Sequence, residues 1–170
     1  MNQISKAIPP KPEANASPAA GFRVAVISSR WHPDIVANAT AAIRSELGRT
    51  CDPSGVVDLY EVPGAFEIPL HAKRLAASGA YDGIIACGLV VNGGIYRHEF
   101  VASAVIDALM RVQLDHDTPV FSAVLTPRDF HEHQEHLEFF ASHFIKKGTE
   151  VARACVDTLS ALSKLPNREG

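Results

Sequence analysis

The chain has 170 residues, 46% hydrophobic and 21% charged, a balance that suits one continuous core in one ordinary domain. A net charge of -3 and a pI near 6.2 withhold the general electrostatic attraction to nucleic acid or an anionic membrane surface. No run approaches the ~18 apolar residues of a membrane span, and Cys51, Cys87 and Cys155, an odd count without paired spacing, suggest neither a disulfide framework nor a zinc knuckle.

Residues 1–20 carry Pro9, Pro10, Pro12 and Pro18 among alanines and small polar residues, which predicts a disordered or extended arm. This stretch lacks the apolar segment of a secretory leader. Residues 164–170 read as a short C-terminal tail, which leaves 21–163 as a single domain. Within it, residues 22–29, 56–62, 83–91 and 120–125 are short β-branched runs without strict alternation, the pattern of strands covered on both faces.

Helical spacing fills the intervals. Val36, Ile43 and Leu47 share a face, as do Ile68, Ala72, Leu75 and Ala76, with Gly79 as a terminator. Val101, Val105, Ala108 and Val112 mark a third helix. Phe130, His133, Leu137, Phe140 and Phe144 mark a fourth; Val151, Cys155, Thr158 and Leu162 mark a fifth, with Gly148 between them. Strands and helices alternate up to a final helix pair. The predicted class is α/β: a three-layer αβα sandwich on a four-stranded parallel, flavodoxin-like sheet with an N-terminal extended arm. Ligands of such sheets bind outside the carboxyl ends of the strands. Residues 28–32, 62–67, 89–98 and 122–128 are therefore the windows to inspect.

In the first window, Trp31 either caps the core or offers a flat stacking face to a planar heterocycle. In the second, Pro63-Gly64 turns the chain and Pro69 suits only a helix's first turn. Glu67 there either complements the helix dipole or accepts hydroxyls. The third window holds Gly93-Gly94 between a strand and a helix, an arrangement that leaves amides free for an anion such as phosphate. It lacks the glycine spacings and lysine of a P-loop or a dinucleotide fingerprint. Arg97 and His98 follow, one suited to clamp a phosphate and the other to move protons. The fourth window leads into the histidine-rich stretch 131–136, whose spacing matches neither metalloprotease pattern. No metal site is expected, and His133, on the apolar stripe, reads as a packed histidine.

Together, Arg30-Trp31, the peptide VPGAFEIP (62–69), G-x-V-V-x-G-G (88–94) and PVFSAVLT (119–126) resemble the lumazine synthases, over residues 22–163. The resemblance implies condensation of 5-amino-6-(D-ribitylamino)uracil with 3,4-dihydroxy-2-butanone 4-phosphate to 6,7-dimethyl-8-ribityllumazine. Phosphate and water are released, and no cofactor or metal is needed. By position it implies that Trp31 stacks on the pyrimidine, that Ala65, Phe66 and Glu67 line the ring and ribityl site, and that Leu89, Val90 and Val91 meet the ring edge through backbone groups. Gly94 and Ile95 would cradle the phosphate. Ser122 stands where the family often has a phenylalanine contributed by the neighbouring subunit.

Two departures stand out. The family's G-A-T-T-H reads Gly93-Gly94-Ile95-Tyr96-Arg97, which puts arginine in the histidine slot, where it cannot exchange protons near neutrality. His136 falls where the family places a phosphate-binding arginine. The expectation is that Arg97 takes the phosphate charge while His136 or His98 transfers protons. This pattern resembles the divergent second type of the family, which implies a cytoplasmic homo-oligomer, a pentamer or two stacked pentamers. Phe139, Phe140 and Phe144 offer aromatic surface for such an interface. A catalytically weak lumazine- or flavin-binding protein is the alternative that the Arg97 substitution keeps open. A flavodoxin-like electron carrier fits less well, because 28–32 lacks a hydroxyl- and glycine-rich flavin-phosphate loop.

Overall fold

The computed structural model describes residues 21–51, 55–93, 95, 97–131 and 133–166; the predicted N-terminal arm and Gly94 lie outside them. The order is β1 (Arg23–Ser29), α1 (Pro33–Thr50), β2 (Val56–Val62), a 3-10 turn (Ala65–Glu67) running into α2 (Ile68–Ala77), β3 (Gly83–Leu89), α3 (His98–His116), β4 (Val120–Leu125) and α4 (Gln134–Leu162). All three strand pairings are parallel, in the order β2-β1-β3-β4. Each parallel step needs a crossover helix, and the reversal of direction after β2 puts the first crossover on one face and the next two on the other. Helices α1 and α4 cover one face, and α2 and α3 the other.

The pleat divides the core between the layers. Val24 and Val26 of β1 join Ile43, Leu47, Phe144 and Cys155 on the α1/α4 side; Ala25 and Ile27 join Ile68, Val105 and Leu109 on the α2/α3 side. Fully burying a side chain such as Phe144 or Ile27 contributes about 1.5–3 kcal/mol over leaving it exposed. The αβα class and the parallel sheet agree with expectation, as do Pro69 in the first turn of α2 and Gly79, at φ 63°, just beyond its end.

Several expectations need correction. β2 is an edge strand, with Val56 and Leu59 exposed, because nothing among the described residues pairs its outer side. The predicted fourth and fifth helices are one helix of 29 residues. Gly148 sits buried in its middle, where a Cβ would lie 2.5 Å from the Ala39 carbonyl oxygen and 2.9 Å from the Ala42 Cβ. This glycine is a crossing point rather than a stop: its missing side chain lets α4 approach α1. Phe130 and His133 precede α4, and His133 is exposed, not packed. Of the three aromatics expected at an interface, Phe140 and Phe144 are core residues and only Phe139 is exposed.

Polar contacts lock the same layer. Glu46, buried on α1, accepts from Arg153 Nε of α4 at 2.7 Å and from Arg49 Nη2 at 2.9 Å. The Arg153 hydrogen bond leads in holding its carboxyl below the usual carboxylate range. Burial pushes the Cys87 and Cys155 thiols up to about 12, so both are neutral core packing.

Candidate functional site

At the carboxyl edge of the sheet the two central strands part. Their ladder ends at Ser28 and Cys87, while β1 stays with β2 as far as Ser29–Val62 and β3 stays with β4 as far as Leu89–Leu125. The Arg30 N–H then donates to the Val62 carbonyl and the Val90 N–H to the Leu125 carbonyl, both at 2.9 Å. Each central strand therefore turns toward its outer neighbour. The crevice between them is the point where strand order reverses, the usual ligand site of such sheets.

One wall of this crevice belongs to the α2/α3 side. A Cβ at Gly64 would lie 3.8 Å from the Trp31 indole and 3.1 Å from the Glu67 carboxylate, so the three residues adjoin. The Gly64 N–H donates to Glu67 Oε2 at 2.8 Å, fixing that carboxylate at the turn that starts α2. Trp31 is 64% exposed and Phe66 66%, while Ala65 is buried beneath them. The capping reading of Trp31 is thereby excluded: the indole stands at the mouth. Leu89 and Val90 are buried and Val91 half-buried, so these residues present little side-chain surface at the end of β3. Beyond them Ile95 is 89% exposed. Arg97 is the N-cap of α3, with its guanidinium 5.1 Å from the centre of the Phe100 ring. His98 opens the helix with Nδ1 3.6 Å from the Glu99 carboxylate.

His136 lies elsewhere, on α4 in the α1/α4 layer. Its ring stacks on His131 with centroids 5.6 Å apart, Nδ1 accepts from the His131 backbone N–H at 3.3 Å, and its edge meets Phe140. Arg97 and His98 thus head a helix on one face of the sheet, and His136 sits on a helix covering the other. Among the described residues, no group of three or more His, Cys, Asp or Glu could hold a metal ion.

Ser122 is exposed on β4, its hydroxyl accepting from the Val124 N–H at 3.3 Å. It lines a groove of about 290 Å³ with Phe121, Lys147 and Glu150, the last two joined at 2.7 Å. Lys147 was not singled out by the sequence, because a lysine on a helix reads as a solvated face. Ser29, where the two central strands part, was missed because a serine in an apolar strand carries no signal. A second groove, about 360 Å³, runs between the starts of α1 and α4 and is lined by His32, Pro33, Gln134 and Leu137 among others. His32 caps α1 in the left-handed region at φ 50°, its ring edge against Phe130.

Residues 21–163 match the family of 6,7-dimethyl-8-ribityllumazine synthase. A protein of Rhodococcus erythropolis with that name is 58% identical over 146 residues, covering 86% of this chain and 94% of the relative. Two proteins named 6,7-dimethyl-8-ribityllumazine synthase 2 are also similar. The one from Pseudomonas syringae pv. tomato is 52% identical over 143 residues (84% of each chain). The one from Bradyrhizobium diazoefficiens is 54% identical over 143 residues, 84% of this chain and 86% of its own.

Proposed function

The chain belongs to the 6,7-dimethyl-8-ribityllumazine synthase family, and from that premise we propose which residues carry the reaction and how copies of the chain complete the site. The reaction joins 5-amino-6-(D-ribitylamino)uracil to 3,4-dihydroxy-2-butanone 4-phosphate, a step of riboflavin biosynthesis. An imine forms with loss of water, phosphate is eliminated and the second ring closes with loss of a second water. Holding two reactive partners in register contributes most of the rate, and proton transfers add to it.

Trp31 stacks on the pyrimidine and the turn Ala65-Phe66-Glu67 meets the ring and the ribityl chain, with Glu67 accepting hydroxyl hydrogen bonds. The observation that carries this reading is the parting of β1 and β3 beside an exposed indole and a carboxylate already fixed by the Gly64 amide. The backbone of Leu89, Val90 and Val91 meets the ring edge. Gly94 and Ile95 hold the phosphate with Arg97, whose exposed guanidinium at the head of α3 suits a dianion. His98 beside it, or His136 from a second copy, moves protons.

The exposed apolar surface of the single chain, Trp31, Phe66, Phe100 and Leu114, supports a second copy that covers it. A cytoplasmic homo-oligomer, a pentamer or two stacked pentamers, is the proposed form, with 21–163 as its folded unit. No helix among the described residues is long and apolar enough to cross a membrane.

The test mixes purified chain with both substrates and follows the lumazine absorbance against a protein-free control. The wild type is expected to exceed the background. Arg97→Ala is expected to lower kcat/KM by about 30- to 100-fold, the worth of a charge-assisted contact to phosphate. Tight product binding without acceleration would replace the synthase reading with that of a binding protein.

A further inference from the structure

Among the described residues, Ser29 Oγ is a buried side-chain polar atom without a hydrogen-bond partner. Ser29 itself is 3% exposed. An unsatisfied buried hydroxyl is a net cost, and alanine would fill nearly the same space without it. The place is specific. Ser29 is the first residue of β1 beyond the β1–β3 ladder, and Gly88 is its counterpart beyond Cys87 on β3. A Cβ on Gly88 would lie 3.1 Å from Ser29 Oγ, 3.5 Å from Ile68 Cδ1 and 3.6 Å from the Ala65 Cβ. The hydroxyl therefore lies beside Gly88, where the two central strands part, and Ile68 and Ala65 border the same spot.

We infer that Ser29 is a positioning residue of the ring subsite, its hydroxyl bonding the backbone at the Gly88–Leu89 end of β3 when a planar heterocycle fills the crevice. This rests on the family reading of the site. The end of β3 carries Leu89, Val90 and Val91, the segment whose backbone meets the ring edge. A hydroxyl that turns about one bond finds its partner after a small closure of the parted strands. A hydrogen bond made only in the liganded state adds to affinity and leaves the unliganded chain no more stable. Gly88 belongs to the same device, because a methyl there would crowd the hydroxyl and hold the strand ends apart.

The experiment titrates wild type, Ser29→Ala and Ser29→Cys with 6,7-dimethyl-8-ribityllumazine, read by its fluorescence, and records Tm with and without it. Ser29→Ala is expected to melt no lower than wild type without ligand, to bind about 5- to 10-fold more weakly, and to gain less Tm from the ligand. Ser29→Cys, with a weak donor of similar shape, is expected to fall between. Equal affinity for the alanine variant overturns the inference, and so does a lower unliganded Tm, which would mark a packing role. The wild-type assay separates the two claims. Product formation by wild type with an unaltered Ser29→Ala variant removes Ser29 and leaves the synthase reading. A wild type that neither binds nor condenses removes both.

Discussion

The two faces of the sheet are finished differently. Between α1 and α4, Gly148 lets the helices touch and Glu46 joins them through Arg153, so the facing surfaces of the two helices interlock within one chain. At the α2/α3 edge the reverse holds. Trp31, Phe66 and Ile95 are exposed, the Arg97 guanidinium lies over the Phe100 ring, and Ser29 has no hydrogen-bond partner among the described residues. The contrast places the interlocked contacts in the α1/α4 layer and the candidate recognition groups at the open α2/α3 edge.

The contrast can be broken most strongly at Gly148. By helix propensity, Gly148→Ala should stabilise α4 by about 1 kcal/mol. The Ala39 carbonyl in the way reverses the sign, and a net loss of about 3 kcal/mol, seen as a lower Tm, is expected. An unchanged Tm would mean that the two helices separate freely. Trp31→Ala probes the open layer. Ring affinity is expected to drop by up to about tenfold with little change in Tm, since the indole is mostly solvated and stacking is worth about 0.5–1.5 kcal/mol. A Tm loss as large as that at Gly148 would make Trp31 a core residue after all.

The smallest effect is at Glu46. Glu46→Gln is expected to cost about 1 kcal/mol at neutral pH, as the cationic ends of its pairs are solvated. Because the folded carboxyl titrates below its unfolded value of 4.5, its contribution is complete above that pH and fades as pH falls through the folded value. Melting curves of the two proteins should therefore converge on acidification below about pH 4. Curves that stay parallel would detach the ion pair from stability.

Much of this was legible in the chain. β-branched runs separated by helical spacing specify a parallel αβα sheet because those two periods are local properties of the backbone, and VPGAFEIP and Arg30-Trp31 marked the candidate site because strand ends are where such sheets bind. Gly148 was misread because a glycine's local meaning is to end a helix, and only the approach of Ala39 from a segment over a hundred residues earlier gives it another. His133 and Phe130 fit the helical stripe by spacing, yet α4 begins after both. Arg97, His98 and His136 could be named from position but not grouped. The sequence orders residues along a line, and a sheet between two layers decides which of them share a wall. Period and turn chemistry determined the class and the strand ends, and the resemblance carried by Arg30-Trp31 and VPGAFEIP pointed to the family. The long α4, the parting of β1 from β3 and the unpartnered Ser29 came only with the tertiary structure, because each depends on contacts between segments distant in the chain.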